Sequence, residues 1–209
     1  ALNAAALNKG TIEADGGNVL LTAKSANALL DTVINTEGVI RANSIANRNG
    51  TIVLDGGDRG VVSVSGTLEA RGADSSTTGG TVKVLGQYVG LMGGANINAS
   101  GDAGGGTALV GGNYQGTGSE FRATATYMDR DATISADAIT LGDGGKVIVW
   151  SDGFTSAHGT IWARGGARGG NGGLIETSGH HILDATGVRG GAGAPNGRGG
   201  LWLFDPDTD

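Results

Sequence analysis

Apolar residues in this chain fall into short runs in which every second position is aliphatic, and the runs return at a nearly fixed distance. One series has a small residue, a mostly polar residue, an aliphatic, a variable residue and Ala. It starts at Gly10, Gly38, Gly66, Ala95, Ala132 and Gly159, with a degenerate copy at Thr186, so successive offsets are 28, 28, 29, 37, 27 and 27 residues. A second series starts at Gly17, Gly50, Gly80, Gly106, Gly145, Gly173 and Gly200, and a weaker third strand lies at 61–65, 88–92, 154–157 and 181–185. Alternation with period two marks a strand with one face in the core. Three such strands per repeat make one rung of a solenoid, where each strand pairs in parallel with its counterpart one turn later. The predicted fold is all-β: a right-handed parallel β-helix (solenoid) of about seven coils of three short strands, right-handed winding being the default for parallel connections.

The alternation also assigns the inward columns. Ile12, Ile40, Leu68, Ile97, Ile134, Ile161 and Val188 form one, with Ala14, Ala42, Ala70, Ala99, Ala136 and Ala163 beside it. Val19, Ile52, Val82, Ala108, Val147, Ile175 and Trp202 form another, followed by Leu21, Leu54, Val84, Val110, Val149, Thr177 and Phe204. The offset of 37 places an extra-helical insertion at 113–131 in an otherwise single unit spanning 1–209. The outward positions of the second series are unusually apolar: Leu20, Val53, Leu109, Ile148 and Leu203 against only Lys83 and Glu176. Such a stripe is normally covered or functional, and Tyr114, Phe121, Tyr127 and Met128 of the insertion have the surface to cover it. On the outer face of the first series Glu13 and Glu69 flank Arg41, which predicts an ion-pair ladder. Leu29, Leu30, Val33 and Ile34 would also fit one helical face, but the repeat runs through 25–35 and favours strand.

Composition narrows the choice. The chain has 43 glycines, two prolines and no cysteine. No Gly-X-Y period exists, which excludes collagen, and the aliphatic runs argue against disorder. A net charge of −6 without any Lys/Arg cluster argues against nucleic acid as a partner. No apolar run approaches the roughly twenty residues of a membrane-spanning helix, and residues 1–10 lack the form of a signal peptide. The chain is expected to be a monomeric, non-membrane-spanning fibre segment.

The C-terminal half carries more specific runs: GGNYQG (111–116), DATISADA (131–138), GDGGKVIVWSDGFTSAHGTIWARGG (142–166), GGNGGLIETSGHHILDATG (170–187) and APNGRGGLWLFDPD (194–207). These resemble the shaft of the filamentous haemagglutinin family, the exoproteins that Gram-negative bacteria secrete through two-partner systems. About the last hundred residues carry the resemblance strongly, and the rest by repeat style. It implies a β-helical fibre, export across the inner membrane, recognition by an outer-membrane pore partner through a domain outside this segment, and a role in attachment, aggregation or biofilm formation at the cell surface or after secretion. The family's secretion domain carries an NPNG-type motif that this sequence lacks, since its PNG at 195–197 stands in another context. The resemblance therefore places the chain downstream of that domain and implies a further strand beyond Asp209.

Candidate chemistry is sparse. Asp15 and Asp137 share a repeat position but lie four rungs apart, roughly 19 Å at the spacing of stacked strands, so they cannot act together on one glycosidic bond as paired carboxylates do. The chain is expected not to be an enzyme, and no cofactor is called for. His180 and His181, adjacent on a strand, would point to opposite faces and not share a metal, and His158 falls in a turn. The acids at 205, 207 and 209 space like a calcium loop but lack its glycine and distal Glu. No glycine run is followed by the Lys-Ser/Thr of a phosphate loop, so the glycines are assigned to turns with positive φ. One surface pair stands out. Trp162 projects outward with Arg189 one rung on, either a small platform for a host or matrix glycan or a cation–π contact closing the surface. The alternatives to a structural, adhesive shaft are thus a carbohydrate-binding module, the shaft of a contact-dependent toxin-delivery exoprotein, or a polysaccharide-degrading enzyme.

Overall fold

The structure is a computed structural model and describes residues 5–23 and 32–206. The chain winds through three sheets of seven parallel strands, visiting each sheet once per coil for seven coils. Sheet A runs from Ala6–Asn8 to Ile182–Asp184, sheet B from Thr11–Glu13 to Arg189–Gly191, and sheet C from Asn18–Thr22 to Leu201–Pro206. Residues 25–31 of the stretch with a competing helical pattern lie outside the described residues, but Thr32–Thr36 is a strand of sheet A. Residues 207–209 of the acidic tail also lie outside them.

The inward columns fall as the alternation predicts. In sheet B, Ile40, Leu68, Ile97 and Ile134 are paired rung to rung and fully buried. Sheet C keeps both of its columns through all seven coils, ending in Trp202 and Phe204, whose rings stack 4.9 Å apart. Full burial of one such aliphatic side chain contributes about 1.5–3 kcal/mol, so these columns are the main source of stability. The last rung of sheet B differs from the expected register. Gly190, not Val188, pairs with Ile161, because the offset from Thr160 to Arg189 is 29 residues and not 27. Val188 still packs against the core from the corner. The ladder around Arg41 is also different: Arg41 and Arg71 both pair with Glu69, at 3.2 and 3.1 Å, while Glu13 forms no ion pair among the described residues.

Glycine has a different task from the expected one at the corner between sheets B and C. In Gly80, Gly106, Gly145, Gly173 and Gly200 the backbone has no left-handed φ. A Cβ on Gly106 would land on the carbonyl oxygen of Gly80, one on Gly145 on that of Gly106, and one on Gly173 on that of Gly145. The preceding Gly105, Gly144 and Gly172 face the carbonyls of Ala136, Ala163 and Ala192 on the next rung in the same way. The second glycine of each pair donates its N–H to the Ala that ends the sheet B strand, as Gly106 does to Ala99 and Gly145 to Ala136, both at 2.7 Å. Short side chains link the outer loops of this corner. Asp15 accepts the N–H of Asn43, Asn43 that of Arg71, Asp143 that of Asn171 and Asn171 that of Arg198, each about one coil on, at 2.8, 2.8, 2.8 and 3.0 Å. Orphan backbone donors are thereby satisfied where no ladder exists.

A methyl group at the crowded corner has nowhere to go. Gly145→Ala is expected to lower the urea-unfolding stability by about 1–3 kcal/mol or more. Gly191→Ala, whose Cβ would meet nothing within 4 Å, is expected to change it by no more than about 0.5 kcal/mol. Equal stabilities would show that the corner tolerates a side chain.

Candidate functional site

Trp162 and Arg189 both reach the surface but not each other's rung position, since Trp162 pairs with Gly191 and Arg189 with Thr160. The longer corner before Arg189 causes this. The ring of Trp162 is instead covered by Arg164, whose guanidinium carbon sits 4.1 Å from the ring centroid. Arg164 is held there by two bonds to Asp137 Oδ2, of 3.2 and 2.8 Å. This is a cation–π contact that closes one face of the indole.

The long connection between coils four and five is 111–124, since Ala125–Met128 rejoins sheet A between Tyr88–Leu91 and Phe154–Ala157. The assigned insertion of 113–131 therefore included a coil strand, with Met128 in the core and Tyr127 on the outside. The insertion covers the middle of the apolar stripe only: Leu109 and Ile148 are buried with Trp150 under Tyr114, while Leu20 remains 63% exposed. The short helical turn Tyr114–Gly116 is capped by Asn113, whose side chain accepts the Tyr114 N–H. Gly112 and Gly116 lie directly on the Trp150 ring, where a Cβ would come within 2.7 Å. Lys83 reaches Glu120 at 3.1 Å and Arg122 reaches Asp152 at 3.0 Å. At the centre the fully buried Glu176 accepts the N–H of Gln115 at 2.9 Å and the hydroxyl of Ser178 at 3.0 Å. Gln115 holds a left-handed φ of 50° to make that bond, a conformation that costs a non-glycine residue energy.

Beside this latch His180 and His181 occupy the turn between Leu174–Gly179 and Ile182–Asp184, not a strand. Their ring centroids are therefore 5.1 Å apart instead of on opposite faces, and both line a hollow of about 580 Å³ with Arg122, Trp150, Asp152 and Asp205. Among the described residues no group of three or more His, Asp or Glu is placed to hold a metal ion.

A second concavity lies on the outer face of sheet A. Val61, Tyr88, Ala125, Phe154 and Ile182 form one outward column, and Ser63, Gly90, Tyr127, Ser156 and Asp184 the next. Small Ala125 between Tyr88 and Phe154, and Gly90 beside Tyr127, open an apolar trough of about 380 Å³. Past Tyr127 it continues into a polar cleft of about 300 Å³ lined by Asp129, Arg130, His158, Thr186, Gly187 and Arg189. Arg189 thus lies in a concave site, but with Tyr127 and not Trp162. Sequence reasoning missed Tyr127 because its strand was assigned to the insertion. The Tyr127 hydroxyl donates to Asp129 at 2.9 Å, which raises the phenol's pKa and holds the carboxylate's down. His158 sits edge-on to Tyr127 at 6.2 Å and bonds Ser156 Oγ and the Thr186 carbonyl, both at 2.6 Å.

Neither a protein-family model nor a curated protein sequence matches the chain. Among solved structures it is similar to the HMW1 secretion domain from Haemophilus influenzae, with a TM-score of 0.75 and 28% identity over 95% of this chain and 49% of that one. The chain spans about half the length of that structure. The likeness is to a secretion domain, whereas the missing NPNG motif led to an expected position downstream of one.

Glu176 is the titratable group on which the latch closes. Burial raises its pKa above the ordinary 4.5, the bonds from Gln115 and Ser178 oppose the shift, and the charge of Asp205 adds to it. A glutamate raised in the folded state favours folding fully below the unfolded value and loses that contribution as pH rises through the folded one. Glu176→Gln removes the charge; its Oε1 can accept the Gln115 N–H, while its Nε2 can only donate, to a Ser178 hydroxyl turned to accept. It is expected to melt above the native chain at pH 7, with the gap closing towards pH 4. A variant that melts lower at pH 7 would mean that the ionised form stabilises the latch.

Proposed function

We propose that this chain is a segment of the shaft of a secreted bacterial exoprotein of the two-partner type, and that it acts in attachment as a structural and adhesive rod. The observation that carries the proposal is the unbroken stack of seven parallel coils, joined to its likeness, over 95% of its length, to a domain described as a secretion domain. A solenoid whose coils close their own hydrogen bonds can be lengthened rung by rung without a new core. That suits a rod that holds a distal part away from a surface. Coils of one rod share a cross-section, so likeness to a secretion domain supports membership in such a rod without fixing the position along it. In this reading the protein leaves the cell through an outer-membrane pore partner that recognises another segment. The chain itself catalyses no reaction.

The proposal is tested in bacteria that carry the gene for the full exoprotein. Deleting the pore partner is expected to retain the protein inside the cell envelope. Replacing coils two to six by an unrelated solenoid of equal length is expected to preserve secretion and lower attachment of the bacteria to host cells or matrix. Secretion that persists without the partner, or attachment unchanged by the replacement, would contradict the respective half.

A further inference from the structure

From three side chains where the excursion meets coil five we infer a modification site, at which Lys146 and Asn113 join in a covalent amide bond with loss of ammonia. Lys146 Nζ donates to Asn113 Oδ1 at 3.3 Å, and Asn113 Nδ2 donates to Glu120 Oε2 at 3.0 Å. An amine, a carboxamide and a carboxylate thus stand in a chain: a nucleophile, the carbonyl it can attack, and a group that moves protons at the leaving nitrogen. The inference goes beyond the rod reading above and holds whatever the rod attaches to. The step is a single self-modification, without turnover of any substrate.

Each member of the chain is held by a further contact. Asn113 caps the turn Tyr114–Gly116, so its Oδ1 also accepts the Tyr114 N–H, at 2.7 Å. Glu120 is bound at its other oxygen by Lys83 at 3.1 Å, and its side chain is only 10% exposed. Lys146 opens a strand of sheet C two residues before Ile148, on the same outward face, where Ile148 lies buried beneath Tyr114. Rotation about the last bonds of the lysine carries Nζ from the amide oxygen to the adjoining Cγ, so the reacting atoms need little search to meet. An ordinary lysine–amide contact has neither the carboxylate on the leaving nitrogen nor the backbone N–H on the oxygen.

The chemistry balances within the chain. Lys146 passes one ammonium proton to the Glu120 carboxylate and attacks Cγ with the freed electron pair. The carbonyl pair moves onto Oδ1, where the Tyr114 N–H stabilises the negative charge as an oxyanion donor does. Glu120 returns its proton to Nδ2, the pair on Oδ1 re-forms the carbonyl, and the Cγ–Nδ2 bond breaks. The new amide nitrogen gives its surplus proton to the departing ammonia, which leaves as ammonium. No oxidant or other reactant enters. The bond would close a loop between positions 33 residues apart and fasten the excursion to coil five, stabilising the fold by restricting the unfolded chain as a disulfide does.

The test is mass spectrometry of the purified chain after prolonged incubation at neutral pH, intact and after trypsin. The native chain is expected to weigh one ammonia less than its sequence. Mass alone is not enough, because Asn49–Gly50, Asn171–Gly172 and Asn196–Gly197 can each lose ammonia as a succinimide. Trypsin separates the two, since a linked Lys146 is not cut and the peptides 84–122 and 131–164 then appear as one joined species. Lys146→Arg and Asn113→Ala are each expected to abolish that species, and Glu120→Gln to slow its appearance about a hundredfold. Circular dichroism checks that the variants stay folded, and if any does not, the joined peptide of the native chain decides by itself. Recovery of 84–122 and 131–146 as separate peptides from the native chain would overturn the proposal, even with ammonia lost. Joining at the native rate in folded Glu120→Gln would overturn the role of the carboxylate.

Discussion

Everything in this fold depends on how closely one coil can lie on the next. Parallel strands must approach to roughly 4.8 Å for their hydrogen bonds to form, and at the corner between sheets B and C the carbonyl of one coil then occupies the place where the next coil's Cβ would be. Paired glycines resolve the conflict by having no Cβ, as at Gly105 and Gly106 or Gly144 and Gly145. The inward columns can then stack like on like, and the strands of sheet C keep their register to Trp202 and Phe204. A composition that first resembles a disordered or collagenous chain is thus the consequence of repeated close packing.

The same constraint explains where variation is allowed. The sheet strands cannot lengthen without breaking a ladder, but the connections between sheets can: 14–17 joins Thr11–Glu13 to Asn18–Thr22, whereas 163–173 joins Thr160–Trp162 to Leu174–Gly179. Residues 111–124 leave the coil between Val110 and Ala125, and coil five resumes with Ala125 opposite Tyr88 and continues with Thr133 opposite Asn96. The excursion is held by the buried carboxylate of Glu176 and by glycines laid on Trp150. Surface chemistry gathers at such corners too. The cleft at Tyr127 draws on the turns of three successive coils, which bring Asp129, His158 and Arg189 together from well-separated positions.

The core was legible in the sequence because inward residues repeat both in kind and in spacing, as with Ile40, Leu68 and Ile97. Legibility failed where an inward position carries no apolar side chain. Gly190 gives no hydrophobic signal, so Val188 was taken for the core residue of the last coil. Ala125–Met128 was hidden because its first inward residue is Thr126, whose hydroxyl is satisfied by the Trp150 carbonyl at 2.7 Å. The candidate site was less legible for the same reason: once Tyr127 is assigned to a loop, its proximity to Arg189 disappears. Glu176 did leave a trace, as an acid in an otherwise aliphatic outward column, but only the excursion above it explains how that acid is accommodated.

The coils stay in register across the excursion at 111–124, with Asn98 opposite Ser135. The chain has no cysteine, so pairs of introduced cysteines report on this directly. Stacked Cα atoms at about 4.8 Å fall within the range that a disulfide bridges, whereas residues two positions out of register do not. Under mild oxidation Asn98→Cys with Ser135→Cys is expected to cross-link rapidly and keep the native circular dichroism, while Asn98→Cys with Thr133→Cys is expected to stay reduced. Faster cross-linking of the second pair, or equal rates for both, would mean that coil five is slipped against coil four.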